Sequence, residues 1–219
     1  MSMNSLTEEN YLKALFHLKT DNNEVTVNEL SKFLNIKMPS VNSMMKKFAQ
    51  KNWVITESYK PIILTEIGQK EAALVIRKHR LTEMFLVEKM GFGWENVHKI
   101  AEELEHIHSE EFFDKMDELL NYPKVDPHGE PIPDKEGNII EQNLKKLSEC
   151  TEGSKVTLAA VTVDTKDFLS FLNDKQLNLG SQLTVNKKEK FDASMMVTIN
   201  GIFHSFSKVV CDALLVRLD

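Results

Sequence analysis

The chain has 219 residues, 42% of them hydrophobic and 27% charged, and a formal net charge of −6. That length suits two or three small domains, and no apolar run approaches the roughly 20 residues that a membrane helix needs. Cys150 and Cys211 lie far apart with no CxxC pairing, which argues against a disulfide framework and a cysteine zinc site and leaves any metal to nitrogen and oxygen ligands.

The N-terminal MSMNSLTEENYLKALFHL lacks the basic start and small-residue cleavage site of a secretory signal, so a cytoplasmic location is expected. Ser5-Leu6-Thr7-Glu8-Glu9 opens a helix, with Thr7 as the expected cap and Tyr11, Leu12, Leu15, Phe16 and Leu18 as its apolar stripe. Val27, Leu30, Phe33 and Leu34 predict a short second helix. After Asn35-Ile36-Lys37 a third begins near Met38-Pro39-Ser40, where proline is tolerated in the first turn. Its apolar face is Val41, Met44, Met45 and Phe48. Two β-rich pieces, residues 53–56 and 62–65, flank a turn and make a hairpin. Two short helices followed by a hairpin describe a winged helix-turn-helix, expected over residues 1–75.

A long helical pattern runs from Thr65 to Met90, and a second is expected from about residue 95 to 121. With the proline-rich stretch that follows they make a helical domain over residues 76–140. Residues 141–153 read as a linker. Beyond it, strands are expected at residues 156–163, 182–185 and 214–218, a short helix at 167–172, and a hairpin at 195–207 around Asn200-Gly201. Several short strands in this span suggest a small SH3-like barrel over residues 154–219. The fold class is therefore mainly α with a small all-β domain.

Charge is unevenly spread. Between residues 32 and 60, six lysines face one acid, Glu57, a local +5, whereas acids crowd into residues 95–149. In a helix-turn-helix the second helix enters the major groove, and Lys37, Pro39, Ser40, Asn42, Ser43, Lys46 and Lys47 would form its exposed face. Asn42 can read adenine bidentately, and Lys60 at the hairpin tip suits a flanking phosphate. A solvated lysine face, or a helix-turn-helix used only for packing, is the alternative.

The segment HKIAEELEHIHSEE, residues 98–111, raises a second question. At about 100° per residue, His98, Glu102, Glu105 and His106 share one helix face, nearly opposite Ile100, Ala101, Leu104 and Ile107. Upstream, His79 and Glu83 in KHRLTEMF stand one turn apart, a spacing that lets both reach one ion. An ordinary solvated surface is the alternative here too. Two such sets make two plausible divalent sites, and their oxygen-rich character favours Mn²⁺ or Fe²⁺ over soft metals. His17, His108, His128 and His204 have no comparable partners in sequence and are taken as bystanders.

Pro39-Ser40-Val41, KHRLTE, VHKIAEELEH and DPHGEPIP, in this order, resemble the diphtheria toxin repressor family of metal-dependent transcriptional regulators. The resemblance covers essentially the whole chain, including the SH3-like, ferrous-transport-A-type domain of the longer members. It implies a homodimeric repressor that binds palindromic double-stranded operator DNA when loaded with metal, with no membrane and no small-molecule substrate as partner. His79, Glu83 and His98 match one metal site of the family, to which the third domain sometimes adds an acid, here Asp164 at best. Glu102, Glu105 and His106 match the other, completed from the first helix at Asn10.

Two departures bear on the metal. Iron-responsive members carry cysteine where this chain has Glu102, which leans toward Mn²⁺, with Fe²⁺ as the alternative. Manganese-responsive members have aspartate where Asn10 stands and a further acid where this chain has Lys13. Without metal, uncompensated carboxylates are expected to repel one another and free the DNA-binding heads. An enzyme is disfavoured, because no convincing nucleophile or general base stands outside the ligand sets, and a metal buffer would leave the lysine segment without a use.

Overall fold

Ser5 and Glu8 start the first helix together. The Ser5 hydroxyl accepts from the Glu8 backbone N–H, and the Glu8 carboxylate accepts from the Ser5 backbone N–H at 2.9 Å. This reciprocal box displaces Thr7 as the cap, because a serine followed three residues later by glutamate satisfies two orphan donors at once. In the computed structural model, which describes residues 4–218, the helix is α1 (Leu6–Leu18), and it buries Tyr11, Leu12, Ala14 and Leu15.

A short strand β1 (Glu24–Val25) follows, then α2 (Val27–Leu34), started by a second capping box of Thr26 and Glu29. Asn35 ends α2 in the left-handed region at φ 53°, which asparagine tolerates, and turns the chain into α3 (Met38–Gln50). β2 (Val54–Ile55) and β3 (Ile62–Leu64) form the expected wing. β1, which periodicity did not announce, joins them in a sheet of order β1-β3-β2. The core of this winged helix-turn-helix is built on Leu12, Leu15, Leu30, Val41 and Phe48; the Phe48 ring meets Trp53 edge-on at 5.0 Å. Burying a side chain such as Phe48 contributes about 2 to 3 kcal/mol.

α4 (Glu66–Glu88) runs 23 residues. The single helix expected over residues 95–121 is instead three pieces: a 3-10 turn at Trp94–Asn96, α5 (His98–Leu104) and α6 (Glu110–Leu119). Ser109 explains the second break. Its hydroxyl accepts from the Phe112 N–H at 3.2 Å, and Glu110 and Glu111 fill the first turn, so a new helix starts there.

By packing, the chain falls into two units. One takes the residues up to Thr82 with Ala101–Tyr122 and Ile132–Ile140; the other takes Glu83–Ile100, Pro123–Pro131 and the residues from Glu141 onward. In the first, Arg77 donates to the Pro133 carbonyl and pairs with Asp117 at 2.6 Å, both side chains buried.

The second unit is a six-stranded antiparallel sheet of order β4-β9-β5-β6-β7-β8. Its strands are β4 (Lys145–Lys146), β5 (Lys155–Val161), β6 (Gln182–Lys188), β7 (Met195–Ile199), β8 (Ile202–Phe206) and β9 (Leu214–Leu218). Between them lie α7 (Lys166–Asp174) and α8 (Lys208–Ala213). Register shifts in β5 and β6 bend the sheet. The β7–β8 turn has positive φ at Asn200 and Gly201, as a two-residue hairpin of this hand requires. β4 and α8 were not foreseen; Ser207 caps α8, which carries Cys211 into the core.

The DPHGEPIP loop is tied to this sheet. Asp126 accepts from the backbone N–H of His128 and of Glu130, and the Val161 N–H donates to the His128 carbonyl at 2.9 Å. Gly129 sits at φ +87°, and a Cβ there would lie 2.1 Å from the Ala159 carbonyl oxygen, so only glycine fits. Among the described residues no helix is long and apolar enough to cross a membrane.

Candidate metal centre

Because α5 ends at Leu104, Glu105 and His106 stand on the turn before α6 and not on a continuous helix face. They still come together, by a different route. Glu105 is fully buried. One of its oxygens accepts from Lys13 Nζ at 2.8 Å; the other lies 2.5 Å from His79 Nδ1 and 3.0 Å from Lys13. His106 Nε2 is 3.7 Å from Glu105. Burial pushes the Glu105 carboxyl up, but the His79 hydrogen bond and the His79 and Lys13 charges outweigh it and hold the group below the usual range. Glu102, half-exposed, lies 3.7 Å from Lys13 Nζ.

The first helix reaches this cluster through Lys13 and Glu9, while Asn10 is half-buried. Glu9, buried, faces His106 Nδ1 at 2.6 Å and Lys78 Nζ at 2.8 Å, with His108 Nδ1 at 4.0 Å. His108, a third or more exposed, is only at the edge of reach of Glu9. The carboxylates are not uncompensated: Lys13 and Lys78 stand against them, and the expected repulsion is overturned by these two ammonium groups.

In the second unit, Glu83 is buried and lies between two imidazoles. One oxygen is 3.3 Å from His98 Nδ1, the other 3.6 Å from His128 Nδ1. Asp164 lies 3.6 Å from His98 Nδ1. Glu83, Asp126 and His128 each offer a ligand atom within 4.8 Å of the others. His128 is therefore a member of this cluster: the proline loop, docked on β5, turns its ring inward, stacked on Trp94 and donating from Nε2 to the Trp94 carbonyl. Burial alone would lower its pKa, but the Glu83 hydrogen bond and the charges of Glu83 and Asp126 push it up to about 9. His79 precedes Glu83 by one turn of α4.

Lys37 at the N-cap of α3 and Pro39, Ser40, Asn42, Ser43, Lys46 and Lys47 on it are all exposed. Val41, Met45 and Phe48 are buried on the opposite side, so the predicted reading face is the solvent face. Ser43 donates its hydroxyl to the Pro39 carbonyl at 2.9 Å. A cleft of about 950 Å³ between α3 and the wing is lined by Asn42, Lys46, Thr56, Tyr59 and Lys60. Lys60 pairs with Glu57 at 2.6 Å, and Tyr59 stands fully exposed at the tip. Glu8 pairs with Lys51 at 2.5 Å and Lys47 at 3.3 Å.

Residues 3–62 match the family model of the iron dependent repressor N-terminal DNA binding domain, and residues 65–134 that of the iron dependent repressor metal binding and dimerisation domain. Residues 145–218 match the FeoA domain. Over 165 residues, 71% of this chain and 72% of the relative, the chain is 31% identical to the iron-dependent repressor IdeR of Mycobacterium tuberculosis. The chain belongs to the iron-dependent repressor family. This is the diphtheria toxin repressor family of metal-dependent transcriptional regulators, which are repressors and not enzymes.

Its fold is shared with a manganese-dependent transcriptional repressor solved in complex with manganese (TM-score 0.85, 26% identity, 97% of this chain and 100% of that one). ScaR solved with bound Cd²⁺ is a second neighbour (TM-score 0.78, 33% identity, 96% and 98%). For a repressor of this family the donor set is coherent: carboxylates and imidazoles gather, while Cys150 and Cys211 are buried in the C-terminal core. Sequence reasoning missed Glu9, Asp126 and His128. An acid beside Asn10 and the D-x-H spacing in the proline loop were the available signals.

Proposed function

We propose that this repressor is a homodimer that binds palindromic operator DNA when loaded with Mn²⁺, with Fe²⁺ as the alternative ion, and so controls genes of metal-ion uptake. Residues 1–75 read DNA and 76–140 sense metal and dimerise; the linker expected over 141–153 is cut short by β4, so the domain expected over 154–219 already starts at Lys145. Operator DNA and a second copy are its partners, in a cytoplasmic setting and with no small-molecule substrate. Lys37, Pro39, Ser40, Asn42, Ser43, Lys46, Lys47 and Lys60 contact the duplex.

Two divalent sites per protomer are proposed. Glu102, Glu105 and His106 hold one with Asn10, and Glu9 is close by. His79, Glu83 and His98 hold the other, with Asp164, Asp126 and His128 as further donors. Oxygen and nitrogen donors without thiolate suit Mn²⁺ or Fe²⁺. When bound, such an ion supplies a double positive charge that draws carboxylates and imidazoles from separate segments together.

The observation that carries the reading is the pair Glu8 and Glu9. Glu9 turns to His106 in the sensing cluster, and Glu8 to Lys47 on the reading helix and Lys51 at its C-terminal cap. A change in how α1 is held at Glu9 is therefore passed to α3 through Glu8, setting the spacing of two reading helices for half-sites about one helical turn apart. By reciprocity, operator DNA tightens metal binding by the factor with which metal tightens DNA binding.

Fluorescence anisotropy of a labelled operator-type duplex tests this. An affinity gain of roughly 5- to 150-fold is expected on adding MnCl₂ to chelator-treated protein. Equal affinity with and without chelator would overturn it.

A further inference from the structure

We propose that Lys13 is a built-in competitor for the metal at the Glu102–Glu105–His106 cluster, so that loading this site exchanges one cation for another. The inference rests on reading that cluster as a metal site. Lys13 follows Glu9 by one turn of α1, which puts it on the same face and delivers its ammonium to the same place. The side chain is only 15% exposed, and its Nζ lies 2.8 and 3.0 Å from the two Glu105 oxygens and 3.7 Å from Glu102. Both of these acids are proposed ligands.

An ammonium has three protons and no lone pair, so it can only donate. A divalent ion bonds through lone pairs on the same carboxylate oxygens. Glu105, fully buried, takes Lys13 on both oxygens and His79 on one, leaving little of its acceptor capacity for an ion. Two cations held a few ångströms apart in a partly buried setting also repel strongly. Of the two donors on Glu105, the lysine is the one that can yield: its four-carbon stem is flexible, and Glu102 beside it is half-exposed toward solvent.

The bland alternative is an ion pair that merely pins α1 to the turn before α6. The two readings differ in sign. A mere pin predicts that removing Lys13 loosens the site and weakens metal binding, whereas a competitor predicts tighter binding. In both cases the ammonium contributes to holding α1 when no ion does.

Isothermal titration of the full chain with MnCl₂ separates them, and thermal unfolding in chelator reads the contribution they share. Lys13→Met, which keeps the stem and removes the charge, is expected to bind Mn²⁺ at this cluster on the order of ten- to a hundredfold tighter than the parent. In chelator it should melt lower. Lys13→Arg, which keeps the charge, should stay near the parent; Lys13→Gln repeats the neutral case should the methionine variant fail to fold. Unchanged or weaker Mn²⁺ binding by the neutral variants overturns the proposal, as does tight binding by Lys13→Arg. A parent protein and a His106→Ala variant that bind Mn²⁺ alike would instead overturn the metal-site reading on which it rests.

Discussion

Glu8 and Glu9 are neighbours on α1, yet their carboxylates serve different parts of the first unit: Glu8 meets Lys51 and Lys47, and Glu9 meets His106 and Lys78. One residue's rotation of about 100° suffices to divide the work. Glu9→Gln is expected to weaken Mn²⁺ binding about tenfold and the metal response of DNA binding with it. Glu8→Gln should bind metal as the parent does and lose part of the DNA response. Calorimetry and anisotropy on the two variants check this; identical behaviour would sink the division.

Acid stability tests Glu8 in a second way. Burial pushes its carboxyl up, but hydrogen bonds from Lys51, the Ser5 N–H and Lys47 outweigh that and hold it near 2, against an ordinary value of 4.5. A folded value below the unfolded one means the stabilisation is whole above about pH 4.5 and is lost as pH falls toward 2. Glu8→Gln should cost about 1 to 2 kcal/mol at neutral pH. It should also flatten this part of the acid slope. Urea midpoints measured down the acid range give both numbers.

Arg77 and Asp117 are buried as a pair, so removing one partner strands the other. Asp117→Ala is expected to lower stability by about 3 to 5 kcal/mol. A loss under about 1 kcal/mol in denaturant unfolding would show that water reaches the guanidinium.

On the reading face, lysine and asparagine should fail differently. Lys46→Ala should weaken binding to all duplexes and reduce the slope of log affinity against log salt by about one. Asn42→Ala should cost about 1 to 3 kcal/mol on the operator and relax its preference at one position. Salt titrations on operator and scrambled duplexes separate the two.

Glu102→Cys places a softer donor beside Lys13 and Glu105 and should shift preference from Mn²⁺ toward Fe²⁺. Competition titration of the two ions under anaerobic conditions measures it, and an unaltered ratio would remove the case for manganese.

The winged helix-turn-helix and the C-terminal strands were legible because their signals are local: apolar stripes at helical spacing, Pro39 in a first turn, alternating apolar residues, Asn200-Gly201. The break between α5 and α6 was not, since IHSEE continues a helical rhythm and only the Ser109 cap interrupts it. The ligand sets were legible as residue types at helical spacing. Their partners were not, because choosing Glu9 beside Asn10 depends on how α1 is rotated against the rest of its unit. His128 depended on a loop folding back onto β5, a contact more than thirty residues away in the chain. Lys13 was visible as a departure from the family pattern, and its role emerged only when Nζ was found on Glu105.

Strand β9 lies between β4 and β5, pairing Val216 with Lys145 on one side and with Leu158 on the other. Residues 214–218 are the last of this sheet to be synthesised, so during translation β4 and β5 wait with open edges, the kind of exposed backbone that invites wrong pairing. The helix-turn-helix closes through contacts short in sequence and needs no such delay. On the ribosome, the helix-turn-helix is complete well before this sheet can close.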